Sequence, residues 1–122
     1  MSRLEKLFIV LDDEQSIRQS IASYLEDEGH SVLCAESTEA ALELVNLHPV
    51  EAAVVDIRLP GKDGNVFILE AKKIRPSLKV VIHTGSADYT LPDAVKALGV
   101  SKKNVLIKPV RDLSIILEAL QK

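Results

Sequence analysis

The sequence predicts a doubly wound α/β domain, and three observations carry that prediction. Five short apolar runs recur along 122 residues, with segments of helical period between them. The runs lack polar alternation, the habit of strands buried on both faces of a parallel sheet. Acidic, hydroxyl and basic residues stand at the C-terminal ends of four of the runs, where open parallel sheets bind ligands. Parallel neighbours need crossovers, which are usually helical and right-handed, so the alternation implies one sheet covered on both faces. The length suits one domain with a real core, and no linker, repeat or low-complexity tract suggests another.

Leu7-Phe8-Ile9-Val10-Leu11 reads as the first strand. Ile17, Ile21, Tyr24 and Leu25 then recur at helical spacing, and Gly29 follows as a stop. Ser31 to Ala35 is the second strand. Ser37 or Thr38 offers an N-cap to a helix carrying Ala41, Leu44 and Val45, with Glu39 in its first turn, and Pro49 ends it. Ala52 to Val55 leads into the turn-rich Leu59-Pro60-Gly61-Lys62-Asp63-Gly64, whose two glycines can adopt positive φ. A helix from about Asn65 to Ile74 closes at Arg75-Pro76. The fourth run is Leu78 to His83. Pro92 and Gly99 bracket a helix of roughly two turns, from about Leu91 to Leu98, after a loop of small and polar residues. Asn104 to Ile107 is the fifth strand, and Leu113, Ile116, Leu117 and Leu120 share one face of a final helix.

Composition narrows the function classes. The chain is 47% hydrophobic and 27% charged, ordinary for a soluble globular protein. A net charge of −3, few aromatics and no long basic block give no footprint for direct nucleic-acid binding. The apolar runs are far too short to span a membrane, and no signal-peptide pattern opens the chain, so a cytoplasmic home is the default. The single cysteine, Cys34, lies in the second strand and is expected to be a buried small hydrophobe. The three histidines follow no metal-ligand spacing; His83, beside Thr84, is expected to face the opposite side of its strand.

Asp12 and Asp13 end the first run, Asp56 the third, Thr84 the fourth and Lys108 the fifth. Three carboxylates brought together repel unless a cation compensates, and hard oxygen ligands suit Mg²⁺ completed by a phosphate. Asp56 is the candidate nucleophile, since a carboxylate can form an acyl phosphate. Lys108 would supply a point charge and Thr84 a hydroxyl for a phosphoryl oxygen. Each also has a plain explanation. The acidic pair can cap the following helix, with Asp13 capping while Asp12 faces the site; Thr84 can bond backbone, and Lys108 can end a strand in solvent.

Asp12-Asp13, Asp56 within VVDIRLPGKDG, Thr84 within IHTGS and Lys108-Pro109 together resemble the receiver domain of two-component response regulators, across essentially all of residues 1–122 and with no effector domain. The resemblance implies a flavodoxin-like five-stranded parallel sheet of order 2-1-3-4-5 with five helices. It implies a phosphoacceptor rather than an enzyme, with at most self-phosphotransfer and slow self-dephosphorylation. Asp56 would be phosphorylated by a sensor histidine kinase or phosphotransfer protein, in a Mg²⁺-dependent step. Asp13, Asp56 and the main-chain carbonyl of Arg58 would hold the metal, Asp12 acting mainly through water. Thr84 and Lys108 would contact the phosphoryl group, and the Lys108-Pro109 bond would be cis. The switch would run from Thr84 through the loop after it to the surface of the fourth helix, fifth strand and fifth helix, where an output partner protein would bind.

Two departures bear on that switch. The family often has an aromatic where this chain has Val105, and Tyr89 is the candidate substitute, or simply a loop residue packing its ring. Pro92 and the polar 99–104 segment reshape the fourth helix. In the family the positions of Arg58 and Ser86 flank the phosphoryl group, and Arg58 would hinder or orient the attacking water, or simply point to solvent. The alternatives are a phosphorylation-independent interaction module, a small Mg²⁺-dependent aspartyl-phosphate phosphatase, or an FMN-binding protein. Arg58 stands where the phosphatase would need a second carboxylate, and Asp12-Asp13-Glu14 would repel a flavin phosphate.

Overall fold

Apolar runs that need cover on both faces find it in a single parallel sheet between two helical layers. The computed structural model describes residues 5–122. Its elements are β1 (Leu7–Leu11), α1 (Gln15–Asp27), β2 (Ser31–Ala35), α2 (Thr38–Leu47), β3 (Ala52–Val55), α3 (Gly64–Ile74), β4 (Lys79–Thr84), α4 (Asp93–Lys96), β5 (Val105–Ile107) and α5 (Ser114–Gln121). The strand order is β2-β1-β3-β4-β5, all parallel, as the resemblance implies. The order reverses between β1 and β3, which opens a crevice at their carboxyl ends.

The strand period of two divides the core. Ile9, Leu11, Ala53, Val55, Val80 and Ile82 face α2 and α3, packing on Ala41, Val45, Phe67 and Ile68. Phe8, Val10, Val54 and Val81 face α1 and α5, packing on Ile21, Leu25, Ile116 and Leu120. β1, β3 and β4 are buried almost throughout, whereas β2 at the sheet edge is half open. Cys34 corrects an expectation here: it is exposed. It lies on β2, the edge strand, which has a neighbour on one side only.

The helix starts resolve the open caps. Ser37 caps α2 by accepting from the Ala40 N–H at 3.2 Å. Thr38 is instead buried, and its hydroxyl lies 2.9 Å from the Lys62 carbonyl, which it donates to across the interface with the β3–α3 loop. Asp63 caps α3 through the Val66 N–H at 3.2 Å. Glu14, not Asp13, is the N-cap of α1, with no side-chain cap bond.

Two glycines do different work in the turn after β3. Gly61 has φ +76°, where a side chain would be strained. Gly64 does not have positive φ; a Cβ there would lie 2.3 Å from the Asp56 carbonyl oxygen and 2.8 Å from Val55 Cγ1. Close approach of α3 to β3 therefore requires it. α4 is one turn long, shorter than expected, because Pro92 sits at its N-cap in extended geometry and the chain turns at Gly99 with φ +93°. A 3-10 turn, Lys102–Asn104, delivers the chain into β5.

Candidate functional site

Backbone ladders that continue past the strand ends place the site residues side by side. The Asp56 N–H donates to the Leu11 carbonyl at 2.9 Å, and the Asp12 N–H to the Ala35 carbonyl at 3.1 Å. The Lys108 N–H donates to the Thr84 carbonyl at 2.7 Å. Asp12, Asp56 and Thr84 are buried, while Asp13 is exposed. Acidic oxygens of Asp12, Asp13 and Asp56 lie within 4.8 Å of one another.

Lys108 reaches in from β5. Its Nζ donates to Asp12 Oδ2 at 3.0 Å and forms an ion pair with Asp56 Oδ2 at 3.4 Å. Burial pushes the Asp56 carboxyl above its ordinary value; the Lys108 charge pulls it down, and the Asp12 carboxylate pushes it up again. The Arg58 backbone N–H also donates to the Asp56 carboxylate. Burial alone would lower Lys108, but its hydrogen bond and charge pairing with Asp12, together with Asp56, hold the ammonium above its ordinary value. One cation thus faces a buried carboxylate pair, with a third carboxylate at the mouth. A hard divalent cation fits this oxygen donor set and its surplus of negative charge.

Asp12 has a second task. Its Oδ1 accepts from the Glu14 N–H at 2.9 Å, fixing the turn into α1. Its carbonyl accepts from Arg18 Nη1 at 2.7 Å. Arg18 went unsuspected in the sequence because nothing local marks it, six residues on and within a helix. The Lys108-Pro109 bond is cis.

Around this cluster, two loops are tied together. Arg58 Nη2 donates to Ser86 Oγ at 3.1 Å, and Ser86 Oγ donates to Asp88 Oδ1 at 2.6 Å. The Thr84 hydroxyl oxygen accepts from the Ser86 N–H at 3.2 Å. Tyr89 packs its ring against the core and donates its hydroxyl to Asn65 Oδ1 at 2.6 Å. Asn65 carried no sequence signal beyond its place at a helix start. Val105 packs on the same core. Tyr89 and Val105 both line a cavity of about 590 Å³ beside α4.

His83 projects to the α1–α5 face, away from Thr84 on its strand. It is 5% exposed, and neither ring nitrogen has a hydrogen-bond partner among the described residues. Burial, then the Lys108 charge, lowers it to about 4.

Comparison with known proteins agrees with this geometry. The family model described as the response regulator receiver domain matches residues 8–121. The transcriptional regulatory protein AruR of Pseudomonas aeruginosa is 36% identical over 116 residues, covering 91% of this chain and 46% of that protein. A putative NtrX-like response regulator of Rickettsia typhi is 35% identical over 119 residues, covering 96% of this chain and 24% of that protein. The chain thus spans between a quarter and a half of these relatives' lengths. Among solved structures, a CheY-like receiver domain protein of Methanospirillum hungatei superposes with TM-score 0.83 at 29% identity, covering 96% of this chain and 91% of that one. A Burkholderia pseudomallei response regulator, solved with a phosphorylated aspartic acid, a calcium ion and citrate, gives TM-score 0.84 at 29% identity, covering 97% and 68%. Sequence, sheet order and edge geometry converge, and the chain belongs to the response regulator receiver domain family.

Proposed function

We propose that Asp56 accepts a phosphoryl group from a histidine kinase or phosphotransfer protein, and that the phosphoryl group then resets the loop after β4. The observation that carries this reading is Lys108 Nζ held 3.0 Å from Asp12 and 3.4 Å from Asp56 at the sheet's carboxyl edge. A carboxylate oxygen of Asp56 attacks phosphorus; the P–N bond of the donor's phosphohistidine breaks, and its imidazole keeps the electron pair. Lys108 offsets charge on the incoming phosphoryl oxygens, and Thr84 donates its hydroxyl proton to one of them. Asp12, Asp13, Asp56 and the Arg58 main-chain carbonyl would hold Mg²⁺, which when bound offsets the charge that the carboxylates and phosphoryl group share. The Burkholderia relative's phosphorylated aspartic acid supports the acceptor role.

Resetting follows from the bonds already present. Drawing the Thr84 hydroxyl inward pulls on the Ser86 N–H bonded to it, and through Ser86 on Arg58 and Asp88. The output is a change in the surface of α4, β5 and α5, read by a partner protein or by further domains of the kind the longer relatives carry. ATP-fed phosphotransfer of this sort is a cytoplasmic process, and the reading carries that location. Val105 favours a second reading, a receiver that binds partners without phosphorylation, because valine has no ring to swing.

The test is labelling with acetyl phosphate and Mg²⁺. The parent should gain one acid-labile phosphoryl group, and EDTA or Asp56→Asn should abolish it. Equal labelling of Asp56→Asn overturns the assignment. No labelling of the parent, with partner binding intact, favours the second reading.

A further inference from the structure

The net charge of −3 is unevenly spread along the chain. Residues 1–71 carry five Lys or Arg and fourteen Asp or Glu, a net −9. Residues 72–108 carry eight Lys or Arg and two Asp or Glu, a net +6. The fold concentrates that positive surplus, because the stretch runs from the end of α3 through β4 and α4 to β5, at one side of the sheet. One of its cations, Lys108, serves the acceptor edge. Lys72, Lys79, Lys96 and Lys102 have no ion pair among the described residues.

Two adjoining clefts hold those four lysines. The first, of about 140 Å³, lies at the amino ends of β4 and β5, and Lys72, Leu78, Lys79, Leu98 and Asn104 are among its walls. The second, of about 490 Å³, shares Gly99 and Val100 with it and adds Lys96, Ser101 and Lys102. Among the described residues no carboxylate lines either cleft, so every charged wall is cationic. The donors are set in place. Lys72 Nζ donates to the Leu78 carbonyl at 2.9 Å, which fixes the ammonium at the wall and leaves its other N–H groups for an acceptor. Asn104 Oδ1 accepts from the Ser101 N–H at 2.9 Å, so the amide nitrogen is the end without a partner among the described residues. Beside them Leu98 is 37% exposed, a large aliphatic group at the surface.

These walls select among anions. Like charges brought together repel, and an anion that enters relieves the repulsion. Neither cleft has an aromatic or arginine wall on which a base could stack, which disfavours nucleic acid. Lys72 and Lys79 are half-buried in a recess instead of projecting, which disfavours a flat lipid surface. A flexible chain bearing carboxylates can enter both clefts.

We infer that the two clefts are a docking surface for an acidic, extended segment of a partner protein. One carboxylate is received by Lys72, Lys79 and Asn104, a neighbouring aliphatic side chain rests on Leu98, and a further carboxylate lies between Lys96 and Lys102. The inference does not rest on the phosphotransfer reading, since the clefts lie at the opposite end of the strands from Asp56 and none of their walls belongs to the acceptor site.

Titration of the ¹⁵N-labelled protein with the peptide acetyl-Gly-Glu-Asp-Leu-Glu-Asp-Gly-amide tests this, beside a control with Gln and Asn in place of Glu and Asp. The acidic peptide should give saturable amide shifts over residues 72–80 and 96–104, while residues 12–13, 56 and 84 stay still. Its affinity should fall about tenfold between about 0.05 and 0.5 M sodium chloride, as screening requires. The uncharged peptide should give no saturable shifts. Joint Lys72→Gln and Lys79→Gln should weaken binding about tenfold. Joint Lys96→Gln and Lys102→Gln, at exposed side chains whose change leaves the core untouched, should weaken it about threefold. Lys122→Gln, outside the clefts, should bind like the parent. No saturable shifts with the acidic peptide, equal binding of the uncharged one, or parent-like affinity in both double variants overturns the inference. Tighter binding to a phosphatidylserine vesicle or a single-stranded oligonucleotide than to the peptide overturns it too. So does self-association of the protein alone that the double variants abolish.

Discussion

His83 and Asp56 show how burial acts on single groups of opposite kind. Both are nearly inaccessible, yet Asp56 has a cation at 3.4 Å and a backbone donor, whereas His83 has neither hydrogen bond nor ion pair among the described residues. The lowered value of about 4 for His83, against 6.5 for a free imidazole, becomes a statement about stability. Its folded value is depressed, so its contribution is fully present above about pH 6.5 and is lost as pH falls toward 4. The gap is worth on the order of 3 kcal/mol. Urea unfolding from pH 7 to pH 4 should show the parent losing about that much more stability than His83→Phe. Parallel pH curves for the two proteins would mean that the imidazole is solvated after all. Strand alternation places His83 on the far face of β4, but residue types do not say that α1 and α5 leave its ring nitrogens without partners among the described residues.

Elements place these residues by approach distance as much as by propensity. α3 can start against β3 only because Gly64 lacks a Cβ, which would meet the Asp56 carbonyl oxygen at 2.3 Å. Gly64→Ala must push the helix start away from Asp56, the proposed acceptor. It should cost about 1–3 kcal/mol in chemical denaturation and slow acetyl phosphate labelling. Gly85→Ala, where an added Cβ meets nothing within 4 Å, should change stability by less than about 0.5 kcal/mol. Equal costs for the two would remove the steric account. Helix and strand positions were legible from periodicity because each apolar run had to be buried on both faces. α4 was less so: Pro92 and Gly99 marked its bracket correctly, but Pro92 remained extended at the cap and left a single turn. Cys34 was misplaced because apolar pattern does not reveal which strand becomes the edge.

Across the molecule, the site assembles from four strand ends, and this is why it could be read. In a parallel sheet the C-terminal residue of each run must lie on one edge, so Asp12, Asp56, Thr84 and Lys108 were bound to meet once the strand order was known. The ties between loops were not legible, because Arg58–Ser86 and Tyr89–Asn65 depend on side-chain reach across elements. Those ties predict where a phosphoryl group is felt. Hydrogen exchange on the acetyl phosphate-treated protein should change over residues 84–91 and 105–109, while β2 and α2 keep their rates. A change spread evenly over the chain, or one confined to Asp56 itself, would deny the loops their role.

The pairing of Lys108 with Asp12 spans 96 residues of separation and crosses from one end of the chain to the other. During synthesis, β1 to β4 emerge and can begin to associate before the lysine exists outside the ribosome. Until β5 docks, Asp12 and Asp56 lack the ammonium that pairs with both of them in the folded domain. On the proposed phosphotransfer reading, a chain still short of β5 would accept phosphate poorly. The charge balance of this edge arrives together with completion of the sheet.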